Sequence, residues 1–194
     1  MTTRRVALTF GLRMALASCG LWQTIVASAE ITPEQLQSTS QLRNVLRTPR
    51  LVGKERFTYW GFEVYDASLW ANATFVAEDW AKQLLVLELR YLRDFQGADI
   101  AQRSMDEMQG QRPLSDTQKK NWLATLQALI PNVRAGESIT GVYAPDKGMQ
   151  LLHQDRVLGE LRDPEFAQRF LGIWLAPETS QRKLRQQLLA GAQP

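Results

Sequence analysis

This chain has a single cysteine, Cys19, and it lies within the first thirty residues. The remaining sequence therefore has no disulfide, no thiol nucleophile and no thiolate metal ligand. Histidine is equally scarce, and His153 is the only one. Without a second His or a Cys, His153 is a poor metal ligand, and we interpret it as a half-exposed strand residue. We expect neither a metal nor a cofactor.

The motifs of several enzyme classes are also missing. The sequence contains no glycine-rich phosphate loop and no nucleophile elbow around a serine. Two carboxylates are adjacent, Asp106 and Glu107, but neighbouring positions on a helix point about 100° apart and cannot converge on one substrate atom. We therefore interpret this pair as part of a solvated helix face.

The first 29 residues have the three zones of an export signal, with arginines first, an apolar stretch next and small residues at the end. The apolar stretch, residues 14–26, is too short to span a membrane stably. We expect cleavage after Ala29 and a periplasmic or secreted protein. Lipid attachment at Cys19 is the less favoured alternative, because "LASC" resembles a lipoprotein box.

Cleavage would change the charge of the chain. The signal holds three arginines and no acidic residue, so the Lys+Arg count falls from 23 to 20 and equals the 20 Asp+Glu. A neutral chain without a run of basic residues does not favour nucleic acid as a partner. The remaining residues, 30–194, suit one domain whose core is large enough to fold without disulfides.

Strand patterns occur in the first half of this domain and again in its second half. From about Thr48, β-branched and aromatic residues with glycines at 53 and 61 predict a hairpin. The stretch "LLVLELRYL", residues 84–92, alternates as a strand with one dry face does. A second hairpin is predicted by "GESITGVYA", "PDKG" and "MQLLHQ", and "RVLGEL" adds a third short strand.

Helix patterns fill the middle and the end of the domain. A short helix is predicted at "ITPEQLQ". Apolar residues recur at helical spacing from Ile100 to Met108, and Ser115 with Gln118 forms a capping box for the next helix. Asp163 and Pro164 begin another helix, and "PETSQRKLRQQLL" predicts the last. This arrangement predicts an α+β domain with a mostly antiparallel sheet.

Three stretches follow one another along the chain: "RFTYWGFEVYDASLW", "LELRYLRDFQGADIAQRSMDEM" and "GVYAPDKGMQLLHQDRVLGELRDPEFAQRFLGIWL". In this order and spacing they resemble bacterial exported members of the chalcone isomerase-like family. The resemblance covers roughly residues 45–190. It implies an open-faced β-sandwich, in which a large antiparallel sheet is backed by helices. It also implies a cleft between sheet and helices for a planar or lipophilic ligand.

The same resemblance suggests site residues. The family's plant enzymes use an arginine on an early strand and a threonine on the next, whereas its fatty-acid-binding members have a tyrosine at the threonine position. Arg56 and Tyr65 stand at these two positions, so the chain resembles the fatty-acid binders there. The tyrosine and asparagine that the enzymes use near the first helix have no convincing match. Arg103 and Ser104 lie near the asparagine position, and we interpret Arg103 as a surface helix residue.

In an apolar cleft, the Arg56 guanidinium would keep its charge and select a carboxylate or carbonyl ligand. Tyr65 would donate a second hydrogen bond to the same group. Tyr91, on the apolar face of the central strand, is a third candidate ligand-binding residue and suits the core equally well. From the residues alone, Arg56 also fits a solvated position, paired with Glu55 or Glu63.

Three functions remain open at this stage. The favoured one is an exported, non-catalytic binder of a fatty acid or a similar lipophilic carboxylate in the cleft. The first alternative is an isomerase or intramolecular lyase acting on a conjugated carbonyl, with Arg56 polarising the carbonyl and Tyr65 orienting a nucleophilic phenolate. The second alternative is an interaction protein without a functional cleft, whose tryptophans serve a partner surface.

Overall fold

The structure is a computed structural model, and it describes residues 42–193. The export signal predicted for residues 1–29, with cleavage after Ala29 or lipid attachment at Cys19, lies outside the described residues. The short helix predicted at "ITPEQLQ" lies outside them as well. Within residues 42–193, every helix is too short or too polar to cross a bilayer.

Six antiparallel strands form one sheet, in which each strand pairs with its neighbours in sequence. Both predicted hairpins, the alternating central strand and the third short strand are confirmed. The strands are β1 (Pro49–Tyr59), β2 (Phe62–Asn72), β3 (Leu85–Tyr91), β4 (Ser138–Ala144), β5 (Gly148–His153) and β6 (Arg156–Leu161). A 3-10 turn, Trp80–Lys82, lies in the connection between β2 and β3.

Four helices pack on one face of this sheet, which we call the inner face. They are α1 (Gly97–Gln111), α2 (Asp116–Leu129), α3 (Pro164–Leu175) and α4 (Arg182–Leu188). The predicted starts of α2 and α3 are confirmed, whereas the last helix begins at Arg182, five residues after the first residue of the predicted stretch "PETSQRKLRQQLL". Ser115 and Gln118 form the capping box of α2, and the Asp163 carboxylate accepts hydrogen bonds from two backbone N–H groups at the start of α3. These caps satisfy N–H groups that have no partner inside the helix.

The main core lies between the inner face and the helices. Nearly all of α3 is buried, and Phe166 of α3 stacks on Trp122 of α2 with ring centroids 4.7 Å apart. The opposite, outer face is partly covered by the segment that precedes β1, where Leu42 and Leu46 pack on Val86. A sheet with helices α1 to α4 on its inner face is the open-faced β-sandwich of an α+β domain, as predicted.

A β-bulge sets the direction of the side chains near the start of β2. The pairing of β1 with β2 skips Val64, which is therefore an extra residue on β2. A bulge interrupts the strict alternation of a strand. As a result Glu63 and Asp66 both lie on the outer face, while Val64 and Tyr65 face inward.

Candidate ligand-binding site

A cavity of about 160 Å³ lies between the inner face of the sheet and helices α1 and α3. Most of its wall is aliphatic or aromatic, and includes Leu87, Leu89, Ile139, Leu151, Phe170 and Ile173. An apolar cavity of about 150 Å³ is large enough to bind benzene. The observed cavity therefore has room for a ring or a short chain, and a longer ligand must extend toward the opening.

Two tyrosines from neighbouring strands line this cavity. Tyr65 on β2 and Tyr91 on β3 face each other directly across the strand pair. Their rings meet edge to face, with centroids 5.9 Å apart, and Phe57 stacks on Tyr65 at 5.0 Å. The aromatic contacts hold both phenols in place. Tyr91 is buried in the core, and Tyr65 is partly buried against it.

The hydroxyl groups of the two tyrosines retain hydrogen-bonding capacity. The Trp174 indole Nε1 donates to the Tyr65 hydroxyl oxygen at 3.0 Å, which leaves the proton of that hydroxyl free to be donated. The Tyr91 hydroxyl has no hydrogen-bond partner within residues 42–193. Because Tyr91 lines the cavity, a ligand oxygen placed there can accept its hydrogen bond.

Both phenols stay protonated. Burial raises the pKa of Tyr65 well above its ordinary value, and the hydrogen bond from Trp174 only partly offsets this. Burial also raises the pKa of Tyr91, and the nearby Tyr65 acts in the same direction. The two groups therefore act as neutral hydrogen-bond donors rather than as phenolates.

Helix α1 brings charged groups to the same cavity. Arg103 lines it, while its side chain remains 54% exposed, so the cavity reaches solvent at this residue. The Arg103 guanidinium donates to the Glu107 carboxylate, which also accepts from the Ser180 hydroxyl at 2.7 Å. Both charges influence the pKa of Tyr65, which indicates that they lie within electrostatic reach of its hydroxyl. The polar end of the cavity thus combines two phenols with one ion pair.

Arg56 does not line this cavity, and the prediction that it marks the polar end of a buried cleft is wrong. Its side chain is 46% exposed on the outer face. It donates to the Asp66 carboxylate at 2.7 and 3.0 Å and to Glu63 at 2.8 Å. The hydrogen bonds from Arg56 lower the pKa of Asp66. The alternative prediction, a solvated arginine paired with Glu63, is confirmed.

The strand register explains this placement. Phe57, one residue further along β1, stacks on Tyr65 in the cavity wall, so Arg56 must point to the opposite face. The bulge at Val64 then places two acidic side chains beside the guanidinium instead of one. Tyr65 and Tyr91 line the cavity as described, and their part in ligand binding stays a prediction.

Two residues that the sequence placed on a solvated surface also line the cavity, although Arg103 remains exposed as expected. Arg103, interpreted as a surface residue, lines the opening, and the side chain of Glu107 is only 13% exposed. Both lie at helical spacing from Ile100, which also lines the cavity. That spacing was the one signal in the sequence that could have identified them.

His153 lies where a strand residue was expected. It is half-buried at the end of β5, and its Nε2 lies 3.0 Å from the Glu137 carboxylate. In the part of the chain that the structure describes, no three His, Cys, Asp or Glu side chains are grouped so that they could hold a metal ion.

Comparison with known proteins places this chain in a family. Residues 54–190 match the model of the family described as chalcone isomerase-like, and the chain belongs to that family. An uncharacterized protein of Haemophilus influenzae is 30% identical over 138 residues. That alignment covers 71% of this chain and 66% of the relative, which is just under two thirds of the relative's length.

A solved structure shares the fold at much lower sequence similarity. The crystal structure of a fatty-acid binding protein from Arabidopsis thaliana superposes with a TM-score of 0.57 at 10% identity. The match covers 73% of this chain and 87% of that one. The likeness shows that the antiparallel sheet and its helices are arranged in the same way in both proteins.

Proposed function

We propose that this protein is a non-catalytic binder of a lipophilic ligand with an oxygen-bearing head, such as a fatty acid or a similar carboxylate. The observation that carries the proposal is the pair of tyrosine hydroxyls, Tyr65 and Tyr91, with free donors at the polar end of a mostly apolar cavity. Membership of the chalcone isomerase-like family and the shared fold with a fatty-acid binding protein support it.

The ligand head lies at the polar end, where Tyr65, Tyr91 and Arg103 can all donate to its oxygens. The Arg103 guanidinium has five N–H donors, and Glu107 accepts from only some of them. The hydrocarbon part lies against the leucine, isoleucine and phenylalanine side chains of the wall. Because hydrogen bonds to a charged group are stronger than neutral ones, a carboxylate gains more from these donors than an alcohol does.

The position of Arg56 favours binding over catalysis. Both tyrosine hydroxyls keep their protons, because burial raises their pKa values, and they can donate to a ligand oxygen. Arg56, which was expected to polarise a carbonyl, lies on the outer face of the sheet. The groups at the cavity are therefore suited to hold an oxygen-bearing ligand.

The proposal is tested by titrating the purified chain with saturated fatty acids of increasing length and with their methyl esters, followed by native mass spectrometry. We expect one fatty acid to bind per chain, with affinity reduced in a Tyr91→Phe variant. Absence of any fatty-acid complex would contradict the proposal. Turnover of a chalcone above the rate in solvent would instead support the isomerase alternative.

Export belongs to the same proposal. The arginines, apolar stretch and small residues of positions 1–29 support cleavage after Ala29. The intact mass of the protein recovered from its native host should lack these residues. A full-length mass would contradict export through this signal, and a lipid-modified mass beginning at Cys19 would establish the alternative processing.

A further inference from the structure

The β1–β2 hairpin ends in a group of exposed aromatic side chains, which we call the aromatic tip. It consists of Tyr59, Trp60 and Phe62, whose exposed fractions are 48%, 85% and 60%. Elsewhere in residues 42–193, only Leu51 and Val157 are large apolar residues with comparable exposure. The exposed apolar surface of the described domain is thus concentrated at one turn.

The conformation of this turn is unfavourable for the residue that occupies it. Trp60 and Gly61 form a two-residue loop with φ values of 51° and 79°. Positive φ at both central residues is typical of a type I′ turn, in which Asn-Gly is strongly preferred. A bulky side chain at positive φ is strained. The Trp60 ring is exposed, so packing within the domain does not compensate for that strain. The ring is therefore suited to a contact outside the domain.

Cations lie beside the rings of the tip. The Arg93 guanidinium lies 4.8 Å from the centroid of the Phe62 ring, and that of Arg103 lies 5.4 Å from the Tyr59 ring. Arg93 has no carboxylate partner within the described part of the chain. The loop from Tyr59 to Phe62 contains no acidic residue. A guanidinium without a carboxylate partner, next to exposed rings, complements a surface that has an apolar interior and an anionic outer layer.

We propose that the aromatic tip inserts into the headgroup region of a lipid bilayer, with Trp60 and Phe62 at the acyl boundary and Arg93 at the phosphates. Tryptophan and tyrosine are enriched at this depth because their rings are apolar and their edges form hydrogen bonds. A specific protein interface buries about 800 Å² on each side. A convex two-residue turn offers much less, whereas insertion into a bilayer requires only a few apolar side chains.

The position of the tip connects it to the cavity. Arg103 lines the cavity opening and also contacts the Tyr59 ring. A tip inserted in a bilayer therefore holds the opening close to the lipid surface, from which a lipophilic ligand can enter. Membrane docking goes beyond the proposed ligand and does not depend on it, since vesicle binding is measured without any ligand.

The test compares the full chain with its Trp60→Asn variant in sedimentation with vesicles of phosphatidylethanolamine and phosphatidylglycerol. Asparagine suits the type I′ turn, so the variant should fold with an unchanged or higher Tm. We expect binding to weaken about tenfold, as the loss of one inserted large side chain predicts. The matched control is Val157→Thr, which removes an exposed apolar residue on β6 and should leave vesicle binding unchanged.

A second measurement locates the Trp60 ring directly, whatever else in the chain contacts lipid. Brominated acyl chains should quench a fluorescence component that is present in the wild type and absent from Trp60→Asn. If that component is not quenched, the tip does not enter the bilayer and the proposal is wrong. Self-association that depends on Trp60, without vesicle binding, would also overturn it and identify the tip as a contact between copies.

Discussion

The indole Nε1 of Trp174 on α3 donates a hydrogen bond of 3.0 Å to the Tyr65 hydroxyl on β2, across 109 positions of sequence. An indole N–H can only donate, so the Tyr65 oxygen must accept and its own proton points elsewhere. One bond therefore joins the helix layer to the sheet and directs the hydroxyl proton of Tyr65. The contact therefore bears on stability and, under the proposed function, on ligand binding.

Two substitutions, Tyr65→Phe and Tyr91→Phe, should separate the contribution to stability from the contribution to ligand binding. Tyr65→Phe leaves the buried Trp174 N–H without a partner, which lowers the free energy of unfolding by about 1–3 kcal/mol. Tyr91→Phe removes a hydroxyl that has no partner in the described structure, so stability should be unchanged or higher. Urea unfolding measures both, and fatty-acid affinity should fall in each. Equal stability of the two variants would show that the Trp174 bond contributes nothing.

The location of the ligand head can be tested with two matched substitutions, Arg103→Gln and Arg56→Gln. Arg103 lines the cavity and Arg56 lies on the outer face. Calorimetric titration with a fatty acid should show roughly tenfold weaker binding for Arg103→Gln, since a charge-assisted hydrogen bond is lost. Arg56→Gln should bind like the wild type. A loss of affinity in Arg56→Gln alone would indicate that the ligand head binds at the outer face.

Glu107→Gln tests whether the ligand carries a negative charge. The Glu107 carboxylate lies at the polar end of the cavity and repels a second carboxylate, while glutamine keeps an oxygen that can accept from Arg103 and Ser180. Binding of a fatty acid should therefore become several-fold tighter. Binding of the corresponding methyl ester should not change. Equal gains for acid and ester would indicate that the substitution acts through cavity shape.

Gly141→Leu should fill the cavity from the sheet side. Gly141 lines the cavity on β4, and an added Cβ would lie 3.0 Å from the flexible Met149 thioether, which can shift. We expect a Tm close to that of the wild type and loss of fatty-acid binding. The glycine control is Gly110→Ala on an open part of α1, which should raise stability by about 1 kcal/mol and leave binding intact. Retained binding in Gly141→Leu would place the ligand elsewhere.

Acid should weaken the contact between Asp66 and Arg56. The folded pKa of Asp66 is lowered by the Arg56 hydrogen bonds. Its contribution to stability is therefore complete above the ordinary pKa of aspartate, about 3.9, and is lost as pH falls through the lowered pKa. Tm should be higher for the wild type than for Asp66→Asn near neutral pH, and the difference should vanish in strong acid. A constant difference across the whole range would contradict the linkage.

Much of the fold was predictable because the relevant signals are local. The alternation of residues 84–92, the capping box of Ser115 and Gln118, and the Asp163–Pro164 start of α3 each depend on residues within one or two turns. The site was predicted less well. Tyr65 and Tyr91 line the cavity, whereas Arg56 lies outside it and Arg103, interpreted as a surface residue, lies in its wall.

The sequence by itself determined which segments form strands and helices and which of their faces are apolar, because hydrophobic periodicity and capping act over a few residues. The tertiary structure decided which guanidinium reaches the cavity. That outcome depends on the register of β1 with β2 and on the packing of α1 beside α3, and these relations join residues far apart in the chain.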